Sequence, residues 1–319
     1  MAAMKLLVTS PFQRDPERLA EIEKRHGIQV IVPDRGAPTE PLIGDVDAVY
    51  GQLSAEDFPS AKKLRWVQSP SAGVEWLWRV PGLQESDIAV TNMRGAHAVT
   101  IAEHAFAMLL VQTRGLLGFQ KFQRDHDWNR TGIELTNLAG LTMGIVGFGN
   151  IGRAIAHRAT GFEMRVLAVD AEPGAPGEGV AEVWPLERLD DMLAQIDVLV
   201  IAAPWTPSSR DMIRSEQIRR MRRGSYIFQM SRGSIVNEAA LVDALEEGHI
   251  AGGGLDVTET EPLPLGHPLW TAPNLIVTPH SSAVSPLTTA NVWHILSENL
   301  GRFTRGEPLM NEVDKARGW

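Results

Sequence analysis

Three side chains that each follow an apolar run could share one reaction. Arg232 stands in Met230-Ser-Arg-Gly-Ser234, His280 in Thr278-Pro-His-Ser281, and Glu261-Pro262 lies between the two segments. A guanidinium grips a carboxylate through two parallel hydrogen bonds and polarises a neighbouring carbonyl, which a lysine does less specifically. An imidazole titrates near neutral pH and can pass a proton either way. A carboxylate bonded to that imidazole holds it protonated. Reduction of a 2-oxo acid needs these three things: a fixed cation, a proton donor and a group that keeps the donor charged. Each residue also has a plainer reading. Arg232 could sit in a surface salt bridge, His280 is one of nine histidines, and Glu261 lies in the acidic loop Thr258-Glu-Thr-Glu-Pro262. The setting favours the chemical reading. Gly233 and the helix start Asn237-Glu-Ala-Ala-Leu241 mark a ligand-facing turn, Pro279 fixes His280, and no other histidine has a comparable position. His97 and His104 border or occupy a long helix, His126 lies in a polar loop, and His157 follows a glycine-rich turn.

That turn is Gly147-Phe-Gly-Asn-Ile-Gly152. A glycine triplet alone is weak, but this one follows the apolar strand Met143 to Val146 and opens a helix. Gly147 then permits a tight turn, Gly149 lets backbone approach a pyrophosphate, and Gly152 allows close helix packing, with the amides of Asn150 and Ile151 aimed at phosphate oxygens. After the next strand comes Asp170, whose carboxylate can accept both hydroxyls of an adenosine ribose and would repel a 2′-phosphate. NAD is therefore favoured over NADP, while the neighbouring Arg153 and Arg165 leave NADP open. The set points to hydride transfer.

The 319 residues, 44% hydrophobic, suffice for two moderate cores and imply two domains. The formal charge of -9 is dispersed, and no basic run exceeds the Arg219 to Arg223 cluster, which excludes a nucleic-acid footprint. With no cysteine, disulfides, thiolate metal sites and cysteine nucleophiles are excluded; no metal is expected. The longest apolar run, near Phe106 to Val111, is too short for a bilayer, and the start at Met1 runs straight into a strand. The expectation is a cytoplasmic protein with a small-molecule partner and no membrane.

Five short apolar runs, Lys5 to Val8, Gln29 to Val32, Asp47 to Tyr50, Arg65 to Gln68 and Ala89 to Thr91, read as parallel strands of a small α/β domain, with a helix at Arg18 to Arg25. Val99 to Leu117 reads as one long apolar helix. Strands at Leu141 to Val146, Arg165 to Val169, Asp197 to Ala202, Ser225 to Met230, Gly253 to Val257 and Leu275 to Thr278 then alternate with helices at Ile151 to Gly161, Leu186 to Ala194, Ser215 to Met221 and Glu238 to Glu247. Strict alternation predicts a doubly wound parallel sheet. A last helix, Pro286 to Arg305, returns to the first domain. The predicted class is α/β in two domains: a Rossmann dinucleotide domain over 96–285, and a smaller, discontinuous flavodoxin-like substrate domain over 1–95 and 286–319. Glu172 to Gly179 reads as a loop.

With those residues placed, the chain resembles the D-isomer-specific 2-hydroxyacid dehydrogenase family over nearly its full length. The segments that carry the likeness are Ser71-Ala-Gly-Val74, Ile101-Ala-Glu-His104, the glycine turn, Ser231-Arg-Gly-Ser234, Gly254-Leu-Asp-Val257, Glu261-Pro262 and Thr278-Pro-His280. The resemblance implies that Arg232, Glu261 and His280 are catalytic, that the Ala72 and Gly73 amides bind the substrate carboxylate together with Arg232, and that Asp256 contacts the nicotinamide side. It adds Pro204, Thr206 and Ser231 to the cofactor contacts. It also implies a homodimer and a small 2-oxo or 2-hydroxy acid as substrate, glyoxylate or hydroxypyruvate first. Glu261 argues against the formate dehydrogenase branch, which has Gln there. A departure is Ala203-Pro-Trp-Thr206, where relatives commonly have Leu-Thr after the proline; Trp205 could reshape the cofactor or dimer surface. Trp128 and Trp293 could be pocket walls, core or interface. Arg94 could be a second cation for an acidic substrate or half of a hinge salt bridge. The alternative function is a nicotinamide-sensing, corepressor-like binding protein of the same fold, disfavoured by the lack of long flanking segments.

Overall fold

The computed structural model describes residues 3–10, 14–177 and 179–318. Glu178 of the expected loop and the extreme ends of the expected domain ranges lie outside these residues. Two compact units emerge, Met1–Ala96 with Ser285–Trp319, and His97–Val284.

The first unit holds five parallel strands, β1 (Lys5–Val8), β2 (Gln29–Ile31), β3 (Ala48–Tyr50), β4 (Trp66–Gln68) and β5 (Ala89–Thr91), in the order β2-β1-β3-β4-β5. Their short runs are mostly apolar because both faces of the inner strands are covered: Leu6, Leu7, Val8, Val49, Tyr50, Trp66 and Val67 are all buried, whereas the edge strand β2 is only partly so. Helix α1 (Pro16–His26) starts where the Asp15 carboxylate accepts the Glu17 and Arg18 amides and stops at Gly27, whose φ of 62° closes the last turn. A short helix α2 (Glu40–Ile43) precedes β3.

The second unit opens with α3 (Ala98–Thr113) and α4 (Leu116–Arg124). The single helix expected over Val99 to Leu117 is thus two, because Gly115 adopts φ +59° and packs directly on Ile133, where any side chain would overlap. Seven parallel strands follow: β6 (Thr142–Val146), β7 (Arg165–Asp170), β8 (Val183–Pro185), β9 (Val198–Ile201), β10 (Ser225–Gln229), β11 (Ile250–Leu255) and β12 (Leu275–Val277). Their order is β12-β11-β10-β9-β6-β7-β8. Helices α5 (Asn150–Gly161), α6 (Leu189–Leu193), α7 (Ser215–Arg220) and α8 (Glu238–Glu246) connect them. The order reverses at the β6–β9 pair, so the loops after these two strands diverge and leave a crevice at their carboxyl ends. Strand β11 starts three residues before the expected Gly253, because the run Gly252-Gly253-Gly254 conceals it. Helix α3 needs that run: a side chain on Gly254 would overlap Met108.

The last helix, α9 (Pro286–Arg305), is capped by the Ser285 hydroxyl and packs Val292, Trp293, Leu296 and Leu300 into the core of the first unit beside Leu6 and Trp66. Trp293 is therefore a core residue. The tail after α9 pairs with β5 through Thr91 and Glu312 and through the Val313 amide on the Val90 carbonyl at 2.8 Å. Among the described residues no helix is long and apolar enough to cross a membrane, and no cluster of three acidic or histidine side chains could hold a metal.

Candidate active site

The glycine turn joins β6 to α5, and its glycines are small for three different reasons. A side chain on Gly147 would overlap the Ala203 backbone after β9, and one on Gly152 would overlap the Gly147 carbonyl. Gly149 meets neither limit: nothing lies within 4 Å of where its Cβ would stand, and its φ is -76°. The protein has no steric use for that glycine, whereas a pyrophosphate lying against the backbone does. Asn150 and Ile151 begin α5 directly behind it. Asp170, at the end of β7, accepts the Phe148 amide at 2.6 Å and the Glu172 amide at 2.9 Å, so its carboxylate is held against this turn with lone pairs left for hydroxyl donors. Arg153 is drawn toward the loop after β7, donating to the Ala175 carbonyl at 2.8 Å and lying over the Phe148 ring.

Beyond β9 the Pro204 to Ser209 turn is stitched by one buried hydroxyl. Ser209 Oγ donates to the Pro204 carbonyl at 3.1 Å and accepts the Thr206 amide at 2.8 Å. Trp205 is half-buried and packs on the apolar cluster beneath.

Arg232 follows β10 in a turn pinned at both ends by Gln229. That buried side chain accepts the Val236 amide at 2.8 Å and donates to the Val257 carbonyl at 3.2 Å. Gly233 packs against the Thr258 carbonyl so closely that a Cβ would overlap it, which joins the Arg232 turn to the loop bearing Glu261. Glu238, at the start of α8, tightens the same junction by accepting the Glu259 amide at 2.6 Å. Burial pushes the Glu238 carboxyl above its usual range, and that amide only partly offsets the effect. Ser231 Oγ is buried and has no hydrogen-bond partner among the described residues, an orphan at the strand's carboxyl end of the kind a ligand satisfies.

His280 follows β12 with φ +51°, a left-handed conformation uncommon for a side chain of this size and often found at functional positions. Its amide donates to the Asp256 carbonyl at 2.8 Å, and its Nδ1 stands 2.8 Å from Glu261 Oε2. A carboxylate only accepts, so Nδ1 carries the hydrogen and Nε2 is left to exchange a proton. The other Glu261 oxygen accepts the Thr258 amide at 3.2 Å.

Asp256 is almost fully buried, and its carboxylate accepts the Thr278 hydroxyl at 2.6 Å, the Ser281 amide at 2.8 Å and the Ser282 amide at 2.9 Å. Burial pushes its acidity constant up, but these accepted bonds outweigh burial and leave it below the usual carboxylate value. The residue expected on the nicotinamide side thus uses its side chain to brace the His280 loop. His104 joins the brace, its Nε2 3.0 Å from Thr278 Oγ1 and 3.8 Å from Asp256. From sequence His104 shows only as a helix residue in the segment Ile101-Ala-Glu-His104, with nothing to tie it to Thr278 or Asp256. Gln229 and Glu238 were missed for the same reason, since their roles depend on turns that only the fold brings together.

In the first unit, Ser71 to Val74 follow β4. Met93 N–H holds the Ser71 carbonyl at 3.0 Å, and buried Asn92 holds the Ala72 carbonyl through Nδ2 at 2.9 Å. Carbonyl and amide of one peptide point in opposite directions, so these captures turn the Ala72 and Gly73 amides outward. Neither amide has an acceptor among the described residues.

Residues 106–282 match the family model of the D-isomer specific 2-hydroxyacid dehydrogenase NAD-binding domain. The chain is 36% identical to a glyoxylate reductase of Korarchaeum cryptofilum, over 94% of this chain and 93% of that one. Among solved structures, a D-isomer specific 2-hydroxyacid dehydrogenase family protein from Aeromonas salmonicida superposes with a TM-score of 0.86 at 32% identity, covering 98% of this chain and 100% of that one. A D-isomer specific 2-hydroxyacid dehydrogenase from Xanthobacter autotrophicus, solved with NADPH and MES, gives 0.85 at 29% identity and full coverage of both chains. The sensing, corepressor-like alternative is not favoured by these likenesses. Kinship of this extent, on a sheet order and a glycine turn suited to a dinucleotide, means that the chain belongs to the D-isomer-specific 2-hydroxyacid dehydrogenase family and reduces 2-oxo acids with a nicotinamide cofactor.

Proposed function

We propose that the protein is a reductase of small 2-oxo acids that favours NADH, with Arg232, Glu261 and His280 as its catalytic residues. The observation that carries this reading is the 2.8 Å bond between His280 Nδ1 and Glu261, in a loop that abuts the Arg232 turn. The second unit is the dinucleotide domain and the first the substrate domain. Gly147, Gly149, Asn150, Ile151 and Gly152 cradle the pyrophosphate, Asp170 takes the adenosine ribose, and Pro204, Thr206 and Ser231 complete the contacts. Asp256 serves the nicotinamide side by fixing the loop of His280. Bound there, the reduced nicotinamide supplies a hydride to the carbonyl carbon. Arg232 polarises that carbonyl, His280 Nε2 delivers the proton to the forming alkoxide, and Glu261 stabilises the imidazolium from which it comes; on the first unit the Ala72 and Gly73 amides are the proposed donors for a carboxylate.

The preference for NADH rests on the Asp170 carboxylate, which a 2′-phosphate would approach against like charge. The NADPH-bound Xanthobacter relative shows that the fold also takes the phosphorylated cofactor, so the choice lies in residues such as Asp170 and Arg153. Glyoxylate is the first substrate to test, since the Korarchaeum relative carries that activity in its name. A homodimer is supported by the exposed apolar side chains Leu116, Leu117, Trp128 and Leu135 on and after α4. A cytoplasmic setting suits an enzyme that draws on the nicotinamide pool. The test follows NADH and NADPH absorbance with glyoxylate, hydroxypyruvate, pyruvate, oxaloacetate and phenylpyruvate. Faster oxidation of NADH with one of the small acids is expected; binding of NADH without turnover of any acid would overturn the reading.

A further inference from the structure

The reading above assigns partners to one carboxylate and one carbonyl of the substrate. A further cation stands at the same edge of the first unit's sheet. The Asn92 side chain serves two turns at once: Nδ2 holds the Ala72 carbonyl, and Oδ1 accepts the Arg94 amide at 3.0 Å. The Arg94 carbonyl in turn accepts Asn311 Nδ2 at 2.9 Å. The backbone of Arg94 is therefore fixed from both sides, and one buried amide side chain couples it to the loop that presents two unused N–H groups. Its side chain is exposed and has no ion pair or hydrogen bond among the described residues, so the hinge salt bridge has no counterpart there. On the same unit Arg65 is matched with Asp47 at 3.2 Å and Arg302 with Glu298 at 3.0 Å. An arginine whose backbone is coupled to an amide cradle, and whose guanidinium lacks a counter-ion among the described residues, is suited to an anion brought by the ligand.

We propose that Arg94 is a specificity residue that recognises a second acidic group, so that the preferred 2-oxo acids carry a carboxylate or phosphate at the end remote from the reacting carbonyl. This rests on the dehydrogenase reading. Once the first carboxylate lies on the Ala72 and Gly73 amides, the rest of the molecule extends from a fixed point. A terminal anion that reaches Arg94 gains a charge-assisted, two-pronged contact, whereas a neutral tail gains none.

The experiment compares the full-length protein with Arg94→Gln and Arg94→Lys on oxaloacetate, a 2-oxo acid with a terminal phosphate, and 2-oxobutyrate as the neutral acid of similar size. In the unmodified protein kcat/KM favours the dianions. Arg94→Gln lowers the ratio of dianion to 2-oxobutyrate by about tenfold or more, as expected for a hydrogen bond to a charged group, and Arg94→Lys recovers part of it. Loss for oxaloacetate alone, or for the phosphate alone, identifies which anion the site takes. An unchanged ratio, or an equal loss on all three acids, would overturn the proposal. Turnover of glyoxylate with an unchanged ratio removes only this inference, whereas no turnover of any acid removes the dehydrogenase reading with it.

Discussion

His280 and Glu261 meet at 2.8 Å through Nδ1, which leaves the opposite ring nitrogen available to exchange a proton. His280→Ala should therefore lower kcat by roughly 10²- to 10⁴-fold while NADH affinity stays close to that of the unmodified protein. Single-turnover rates and a fluorescence titration with NADH separate the two effects. Turnover that survives the substitution would remove His280 from the mechanism.

The three glycines of the turn should respond differently to alanine. Gly152→Ala forces a Cβ into the Gly147 carbonyl and should destabilise the fold by about 1–3 kcal/mol, the usual cost of overpacking. Gly149→Ala has open space, so the unfolding midpoint should stay within experimental scatter while NADH binding weakens. Thermal unfolding beside NADH titration of both variants tests this. If Gly149→Ala bound NADH as tightly as the original chain, the pyrophosphate could not lie against that residue.

Strands buried on both faces were legible because of their apolar runs, and α9 was readable from its Pro286 start, the structure adding Gly306 as its stop. The edge strand β8 was not, since Val183-Trp-Pro185 is short and proline-ended, and β11 was half hidden by glycines that exist for the sake of α3. At the site, the residues proposed for the chemistry announce themselves by type, as Arg232, Glu261 and His280 do. Residues that brace them do not: Gln229, Glu238 and His104 act on turns distant in sequence, and ordinary polar side chains in helices and strands look alike before those turns are assembled.

Asp170 would link the proposed cofactor preference to the shape of the turn, since its two oxygens accept the Phe148 and Glu172 amides. If Asp170 takes the ribose as proposed, Asp170→Ala removes the charge that opposes a 2′-phosphate, and the ratio of kcat/KM for NADH over NADPH should fall by about tenfold, the scale of one lost charge-assisted contact. The absolute rate with NADH should fall as well, because the same change frees the Phe148 amide. An unaltered ratio would shift the choice of cofactor to other groups, Arg153 first among them.

His97 should make the second unit sensitive to acid. Its Nδ1 is buried without a partner among the described residues, and burial, with a smaller contribution from the nearby Arg232 charge, lowers its pKa from the ordinary 6.5 to about 4. Between those values the unfolded chain takes up a proton that the folded chain refuses. The contribution of neutral His97 is therefore fully present above pH 6.5, declines as pH falls toward 4, and is lost below it. At about 1.4 kcal/mol per pH unit the whole loss approaches about 3 kcal/mol. His97→Leu carries no titrating group, so the difference in unfolding free energy between pH 7 and pH 4.5, measured with urea, should shrink by about 2–3 kcal/mol. A difference as large as in the unmodified protein would mean that other groups, the carboxylates such as Asp256 among them, govern the acid sensitivity.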